Sequence, residues 1–313
     1  MKIGVDLGGT TMIAGIVNEE NEIIEELETE TLAAAGPDKV IERMTELIVG
    51  VIKKANVNKI SHIGLGCPGM LDRINGIVTY SNNLEWENVN IREKVQNYFN
   101  FPVYLENDGN CAALGEYKKG SGKYSHSMVM ITLGTGIGGG IIIDNKILHG
   151  KNGNANILGH IVMVSDGELC TCGRKGCWEA YASVSALIKM AERKANERRD
   201  SKLYYLKESE GSLNGKGVFT ALQSGDEAAT QVFHQYIKNV SEGIIDIINI
   251  FDPQTIVIGG GVSKQGEVIL KPVREFVEQN IYCGPNAMPL IKASSLGNDA
   301  GIIGASCLNE YSL

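Results

Sequence analysis

The sequence predicts an α/β protein built from two related halves, and three observations carry that reading. An apolar run at Met1–Asp6 leads into Gly8-Gly9-Thr10-Thr11, a second apolar run at Met12–Val17, a polar turn at Asn18–Glu22 and a third run from Ile23. This order reads as strand, glycine turn, strand and hairpin. The unit returns about 125 residues further on as Val129–Leu133, Gly134-Thr135-Gly136-Ile137-Gly138-Gly139-Gly140, Ile141–Ile143, the turn Asp144-Asn145, and Ile147-Leu148. Two copies so far apart suit a duplicated α/β unit rather than a solenoid. The 313 residues also suffice for two cores, at roughly 100–200 residues per domain.

The remaining elements follow from periodicity. Val40, Ile41, Met44, Ile48, Val51 and Ile52 fall at helical spacing, Ile60–Leu65 reads as a strand, Ile91, Val95 and Phe99 mark a short helix, and Val103–Leu105 a strand. An apolar helix begins near Cys111. After the second copy, Val232, Tyr236, Val240, Ile244 and Ile247 describe a long striped helix, stopped by Asp252-Pro253 and followed by the buried strand Thr255–Ile258. Gly259-Gly260-Gly261 turns into another helix, and Gly301–Tyr311 reads as a last one. The division expected is a small α/β domain over residues 1–118 and a larger one over 119–300, with the 301–313 segment packing back on the first. The polar stretch Arg198–Lys216 reads as a mobile loop.

Composition narrows the function classes. Hydrophobic residues are 43% and charged residues 21% of the chain, which fits a folded globular protein. Lys+Arg is 29 against Asp+Glu 37, a formal net charge of -8, the wrong sign for a nucleic-acid or anionic-membrane partner. A small-molecule partner is expected instead. No apolar run approaches the ~18 residues of a membrane span, and no secretory pattern opens the chain, so a cytoplasmic location is expected. Seven cysteines is an odd count, which favours reduced thiols or a metal site over a disulfide framework.

Several clusters bear on chemistry. Each glycine turn follows a buried strand and presents backbone N–H groups to an anion, one turn per half, as a clamp on a polyphosphate requires. Taken singly, each is equally a tight hairpin. Neither turn fits G-x-x-x-x-G-K-[ST], and Gly134, Gly136 and Gly139, although spaced as G-x-G-x-x-G, lead into a strand and not a helix, which argues against a dinucleotide fold. In Glu106-Asn107-Asp108-Gly109-Asn110, Asp108 either caps the following helix or accepts the proton of an attacking hydroxyl. His160, Cys170, Cys172 and Cys177 form H-x9-C-x-C-x4-C, four ligands for a closed tetrahedral zinc site. The alternative is a core histidine beside reduced thiols. Cys67, Cys111, Cys283 and Cys307 stand apart and read as small apolar fillers.

On these residues the chain closely resembles the ROK family of bacterial sugar kinases and sugar-responsive repressors. Asp6-Leu7-Gly8-Gly9-Thr10-Thr11 is similar to the family's first phosphate motif, Leu133-Gly134-Thr135-Gly136-Ile137-Gly138 to its second, and Gly259-Gly260-Gly261 to its adenosine-side turn. Cys170-Thr171-Cys172-Gly173-Arg174-Lys175-Gly176-Cys177-Trp178-Glu179 matches its zinc segment and the sugar-binding glutamate that follows. The resemblance implies the actin-like ATPase, ribonuclease-H-like fold, with the active site in the cleft between two α/β domains. It implies Asp108 as general base on a sugar 6-hydroxyl, and Gly69, Asn83, Asn107, His160 and Glu179 around the sugar. Gly8, Gly9, Thr10, Thr11, Thr135, Gly136, Gly259, Gly260 and Gly261 would face ATP. Magnesium would lie near Asp6, directly or through water, and structural zinc on His160, Cys170, Cys172 and Cys177.

One departure bears on the substrate. The family's usual E-x-G-H, whose glutamate binds the sugar near its anomeric end, here reads Ile157-Leu158-Gly159-His160. The function expected is ATP-dependent 6-phosphorylation of an aldohexose, glucose first, with N-acetylmannosamine or another hexose or N-acetylhexosamine as the alternative. A non-catalytic sugar-binding protein is a further alternative. The family's repressors carry an N-terminal winged helix-turn-helix. Here the first strand begins at Met1 and the charge is acidic, so a kinase is expected rather than a DNA-binding regulator. A homodimer or homotetramer is expected from family habit.

Overall fold

The computed structural model describes residues 1–311 except Asn152, Asn154 and Cys283, so the reading of Cys283 as a filler and the last two residues of the 301–313 segment lie outside the described residues. The N-terminal part runs β1 (Lys2–Leu7), β2 (Thr11–Val17), β3 (Ile23–Glu30), α1 (Pro37–Ala55), β4 (Ile63–Cys67), β5 (Met70–Asp72), β6 (Ile77–Ser81), β7 (Trp86–Asn90), α2 (Ile91–Gln96), β8 (Val103–Asn107) and α3 (Asp108–Lys118). It continues with β9 (Met128–Leu133), β10 (Ile137–Ile143), β11 (Lys146–Ile147), α4 (Glu179–Ala182), α5 (Val184–Glu197), α6 (Lys202–Glu210), α7 (Gly215–Gln223), α8 (Glu227–Phe251), β12 (Thr255–Gly259), α9 (Glu267–Asn280), β13 (Leu290–Ala293) and α10 (Asp299–Ser306).

The duplication is visible in the sheets. One has the order β3-β2-β1-β4-β8 and the other β11-β10-β9-β12-β13. In each, an antiparallel hairpin is joined to two parallel strands, β1 beside β4 and β4 beside β8 in the first, and β9 beside β12 and β12 beside β13 in the second. The central strands are buried along almost their whole length, which is why they read as continuous apolar runs and not as alternating ones. The turn Asp144-Asn145 has positive φ at both residues, 50° and 62°, the geometry that suits a two-residue hairpin. Each sheet has its own apolar core, one including Ile3, Val5, Met44 and Ile63, the other Val129, Trp178, Tyr236 and Ile256.

Two helices join the halves. α3 leaves the end of β8 and α10 returns across it, packing on β1 and β4 as well. Side chains are nearly absent from the crossing of α3 and α10. A Cβ added at Gly304 would lie 1.7 Å from the Cys111 carbonyl oxygen, and one at Gly115 would lie 2.1 Å from that of Ala300. The two backbones therefore touch, and any larger residue would force them apart.

Two sequence expectations need correction, and one sheet was not expected at all. Arg198–Lys216 is not a loop but α6 and the start of α7. Ser201 caps α6 through the N–H of Tyr204 and Asn214 caps α7 through that of Gly217, and Leu203 and Leu213 are buried beneath them. Its polarity belongs to the exposed faces of short capped helices. The helix placed near Cys111 begins at Asp108, because the Asn107 side chain caps it by accepting from the N–H groups of Gly109 at 3.0 Å and Asn110 at 3.3 Å. The sheet β5-β6-β7 has no counterpart in the sequence reading, its strands being three to five residues long. Among the described residues no helix is long and apolar enough to cross a membrane.

Candidate active site

Two cavities meet at Asp108. The smaller, about 470 Å³, is lined by Asp6, Gly69, Asn107, Asp108, Asn156, Ile157 and His160, together with Thr132, Ile137 and Gly138. The larger, about 760 Å³, is lined by Asn83, Asp108, Thr135, Gly136, Glu179 and Gly260, and shares Thr132, Ile137 and Gly138 with the first. Asp108 is the only carboxyl that belongs to both linings.

Two carboxyls of the cleft, Asp6 and Asp108, come from strand ends of the first sheet, and a third, Glu179, follows the cysteine loop. Asp6 lies near the end of β1, opposite Gly66 of β4, and its carboxyl reaches α10, where a Cβ at Gly301 would meet Oδ2 at 2.4 Å. Asp108 opens α3, where the helix dipole favours a negative charge, and it accepts the N–H of Gly109 at 2.9 Å. Among the described residues no cationic side chain pairs with either. Burial, and secondarily the charge of Asp108, pushes the Asp6 carboxyl up to about 7. Burial also raises that of Asp108 above the ordinary aspartate value, against the opposing hydrogen bonds of its own turn.

Asn107 is held on several sides. Its Oδ1, besides capping α3, accepts Nδ2 of Asn156 at 2.7 Å, and its own Nδ2 donates to the Gly69 carbonyl at 3.4 Å. Asn156 also donates to the Gly139 carbonyl at 3.1 Å, so it ties the second glycine run to the end of β8. Asn156 and Thr132 are cavity residues that the sequence reading did not single out. Asn156 adjoins the departure at Ile157, the one local signal that pointed to it. Ile157 is 48% exposed, so its alkyl group faces the smaller cavity rather than the core.

The four cysteine and histidine residues converge. Their ligand atoms all lie within 4.8 Å of one another, with Sγ of Cys172 3.6 Å from that of Cys177 and Nδ1 of His160 3.6 Å from Sγ of Cys170. These separations exclude a disulfide and match the edges of a tetrahedron with bonds of about 2.3 Å to sulfur and 2.0–2.1 Å to nitrogen. The loop is anchored by Trp178, which is buried and donates Nε1–H to the Asn239 carbonyl on α8 at 2.9 Å. Glu179 follows directly. Its Oε1 accepts Thr171 Oγ1–H at 2.9 Å and its Oε2 accepts the N–H of Ile137 at 2.9 Å, which links this loop to the second glycine turn.

The sequence-predicted residues thus divide. Gly69, Asn107 and His160 line the smaller cavity, whereas Asn83 and Glu179 line the larger one beside Thr135, Gly136 and Gly260. Gly8, Gly9, Thr10, Thr11, Gly259 and Gly261 line neither. Gly9 packs against Asn83, where a Cβ would meet the Asn83 carbonyl oxygen at 2.9 Å, and the N–H of Gly8 closes its own turn on the Thr11 carbonyl at 3.0 Å. Gly260 has φ +84°, and a Cβ there would strike the Leu133 carbonyl oxygen at 2.3 Å, so this turn beside the second phosphate-type turn requires glycine.

The site thus combines a strand–glycine–strand hairpin in each half, a carboxyl shared by the two parts of the cleft and a cysteine-histidine tetrad beside it. The ROK family model matches residues 2–311, and the chain belongs to that family. It is 37% identical to a glucokinase of Streptomyces coelicolor over 98% of this chain and 97% of that one. It is 36% identical to a glucokinase of Thermotoga maritima over 98% and 96%. A ROK family glucokinase from Streptomyces griseus, solved in complex with glucose and AMPPNP, is similar in structure, with TM-score 0.83 and 35% identity over 98% of each chain. The fold is the actin-like ATPase fold of these sugar kinases.

The stress on Asp6 has a testable sign. Because burial pushes this carboxyl up to about 7, above the 3.8 of a free aspartate, the native state binds more protons between these values. Stability therefore falls as pH rises through that window. In magnesium-free buffer, Asp6→Asn is expected to shrink the stability difference between pH 5 and pH 8. Urea unfolding at both values checks this, and an unchanged difference would show that the Asp6 carboxyl is not the stressed group.

Proposed function

We propose that the protein transfers the γ-phosphoryl group of ATP to the 6-hydroxyl of glucose, with Asp108 as the general base. The protein is an ATP-dependent sugar kinase, and the observation that carries the assignment of roles is the place of Asp108 in both cavity linings. In this reading the smaller cavity takes the hexose, held by Asn107, His160 and the backbone at Gly69. The larger takes the triphosphate against Thr135, Gly136 and Gly260, with the first glycine turn, Gly8 to Thr11, closing on it from the other half. Asn83 and Glu179, which line the larger cavity, would reach sugar hydroxyls on closure of the cleft.

The proton path is short. The 6-hydroxyl gives its proton to the Asp108 carboxylate as its oxygen bonds to the γ-phosphorus. The bond from that phosphorus to the β–γ bridging oxygen breaks, and ADP departs with the electron pair. A carboxylate of raised pKa accepts that proton more readily than an ordinary one. Closure of the halves removes water that would otherwise compete for the phosphoryl group.

Magnesium fits the cleft because Asp6 and Asp108 are neighbouring carboxyls without a cationic partner among the described residues, and hard cations select such oxygens. Asp6 is the residue that would hold it, and when bound with ATP the ion would neutralise charge on the phosphates. Zinc fits the tetrad by ligand type and spacing. His160, Cys170, Cys172 and Cys177 would hold it, stapling the loop that carries His160 into the sugar cavity and Glu179 beside it.

Asp108→Asn is expected to lower kcat by about 10²–10⁴-fold while glucose still binds, as steady-state rates and calorimetry will show. In the wild type, kcat/KM should fall on acidification with a midpoint above the ordinary aspartate range, because the base works only when ionised. Zinc is expected by metal analysis of freshly purified protein, and its chelation or Cys172→Ser should weaken glucose binding more than ATP binding. Protein purified without zinc and fully active would refute that part. Ile157→Glu, which supplies a carboxylate at the cavity wall, should raise kcat/KM for glucose about tenfold, the scale of one hydrogen bond to a charged group. A panel of glucose, mannose, allose, N-acetylglucosamine and N-acetylmannosamine on both proteins tests it. No turnover of any of these sugars by the wild type would defeat the kinase reading.

A further inference from the structure

Glu106 is a buried acid with no place in the chemistry just described. It sits in β8 two residues before Asp108 and is 1% exposed. Its Oε1 accepts the backbone N–H of Asn107 and Nδ2 of Asn110, both at 2.9 Å. Its Oε2 meets Nε2 of His149 at 2.7 Å and Nη1 of Arg73 at 3.3 Å. The partners come from different parts of the fold. Arg73 lies in the turn between β5 and β6, Asn110 on α3, and His149 just after β11 of the second sheet. Burial alone would push the Glu106 carboxyl up, but the hydrogen bond and charge of His149, then Arg73 and Asn110, hold it below the ordinary glutamate value.

Such a cluster is a poor device for stability. A buried ion group is commonly matched or bettered by apolar side chains of similar volume, since desolvation offsets the attraction. What it supplies instead is direction. The Glu106 carboxylate fixes the peptide N–H on one side of Asp108 and the Asn110 side chain on the other, so the turn carrying the base has little freedom. Through His149 that restraint reaches into the second half, whose glycine run forms the facing wall of the cleft.

We propose that Glu106 is a positioning residue that holds the Asp108 turn in its reactive place and ties that place to the second half of the molecule through His149. The inference rests on the kinase reading with Asp108 as base. A base misplaced by about 1 Å costs on the order of 10²-fold in rate, whereas the Asn107 side chain, assigned to glucose, keeps its own hydrogen bonds to Gly69 and Asn156.

The test uses the full chain with Glu106→Gln, His149→Gln and the double variant. Turnover, glucose affinity by calorimetry, and the urea midpoint are measured for each. Each single variant is expected to lose roughly 10–100-fold in kcat with glucose affinity within about threefold of wild type. The double variant should be no slower than the worse single one, because both break the same link. Singles that keep wild-type kcat, or losses that multiply in the double variant, overturn the proposal. So does a rate loss matched by an equal loss of glucose binding, which marks a structural role. Should Glu106→Gln fail to fold, His149→Gln and Arg73→Met carry the test, and wild-type kcat in both overturns it. A wild type that phosphorylates no hexose defeats the kinase reading itself; variants equal to an active wild type defeat only this positioning role.

Discussion

The backbone contact between α3 and α10 is the constraint on which the rest of the site depends. α3 begins with Asp108 and carries the chain out of the first half, while α10 brings it back and touches the Asp6 carboxyl at Gly301. Because Gly115 and Gly304 let the two helices meet without side chains between them, both carboxyls are placed by main-chain atoms, which have few ways to yield. The crossing is thus a fixed point between the two sheets. Glu116, wholly buried on α3, adds to it by accepting the N–H groups of Ser121, Ser295 and Leu296 at 2.7, 2.9 and 2.8 Å, which binds the segment leading into α10.

The buried acids of this molecule fall into two kinds, and the contrast locates its chemistry. Glu106 and Glu116 are surrounded by donors, with Arg73 and His149 also on Glu106, and these hydrogen bonds offset the cost of burying a carboxyl group. Asp6 and Asp108 are not. They share a cleft with little compensation, and their raised pKa values express free energy that a bound cation, or a proton taken from a substrate, would release. The same fold therefore carries well-partnered carboxylates and poorly compensated ones side by side, Glu106 and Asp108 lying two residues apart where β8 passes into α3.

The tetrad of His160, Cys170, Cys172 and Cys177 works at one remove. It lies in a loop with little regular structure, whose two ends, His160 and Glu179, face different cavities. Trp178 anchors that loop to α8, and the Glu179 carboxylate accepts an N–H at the edge of the second glycine turn. The loop therefore touches both cavities, through His160 on one side and Ile137 on the other.

Local pattern made much of this legible. The duplicated hairpin unit, the long striped helix and the cysteine-histidine spacing are set by neighbours in the chain, where strand period, helix period and ligand spacing leave direct marks. Short or partner-dependent features left none. The β5-β6-β7 sheet is too brief to show a period, and Arg198–Lys216 hid two capped helices behind an exposed polar face. Asn156 and Glu106 look unremarkable until residues from distant parts of the chain close around them.

By itself, then, the sequence determined the α/β class, the doubled architecture, the family and the set of chemical groups available. Only the tertiary structure decided that Asn83 and Glu179 stand in a different cavity from Asn107 and His160, that Asp108 serves both cavities, and that Glu106 is spoken for by His149. The reason is physical: a residue's chemistry is carried in its side chain, but its burial, its charge partners and the cavity it faces are set by segments far along the chain, 43 positions for His149 on Glu106 and 49 for Asn156 on Asn107.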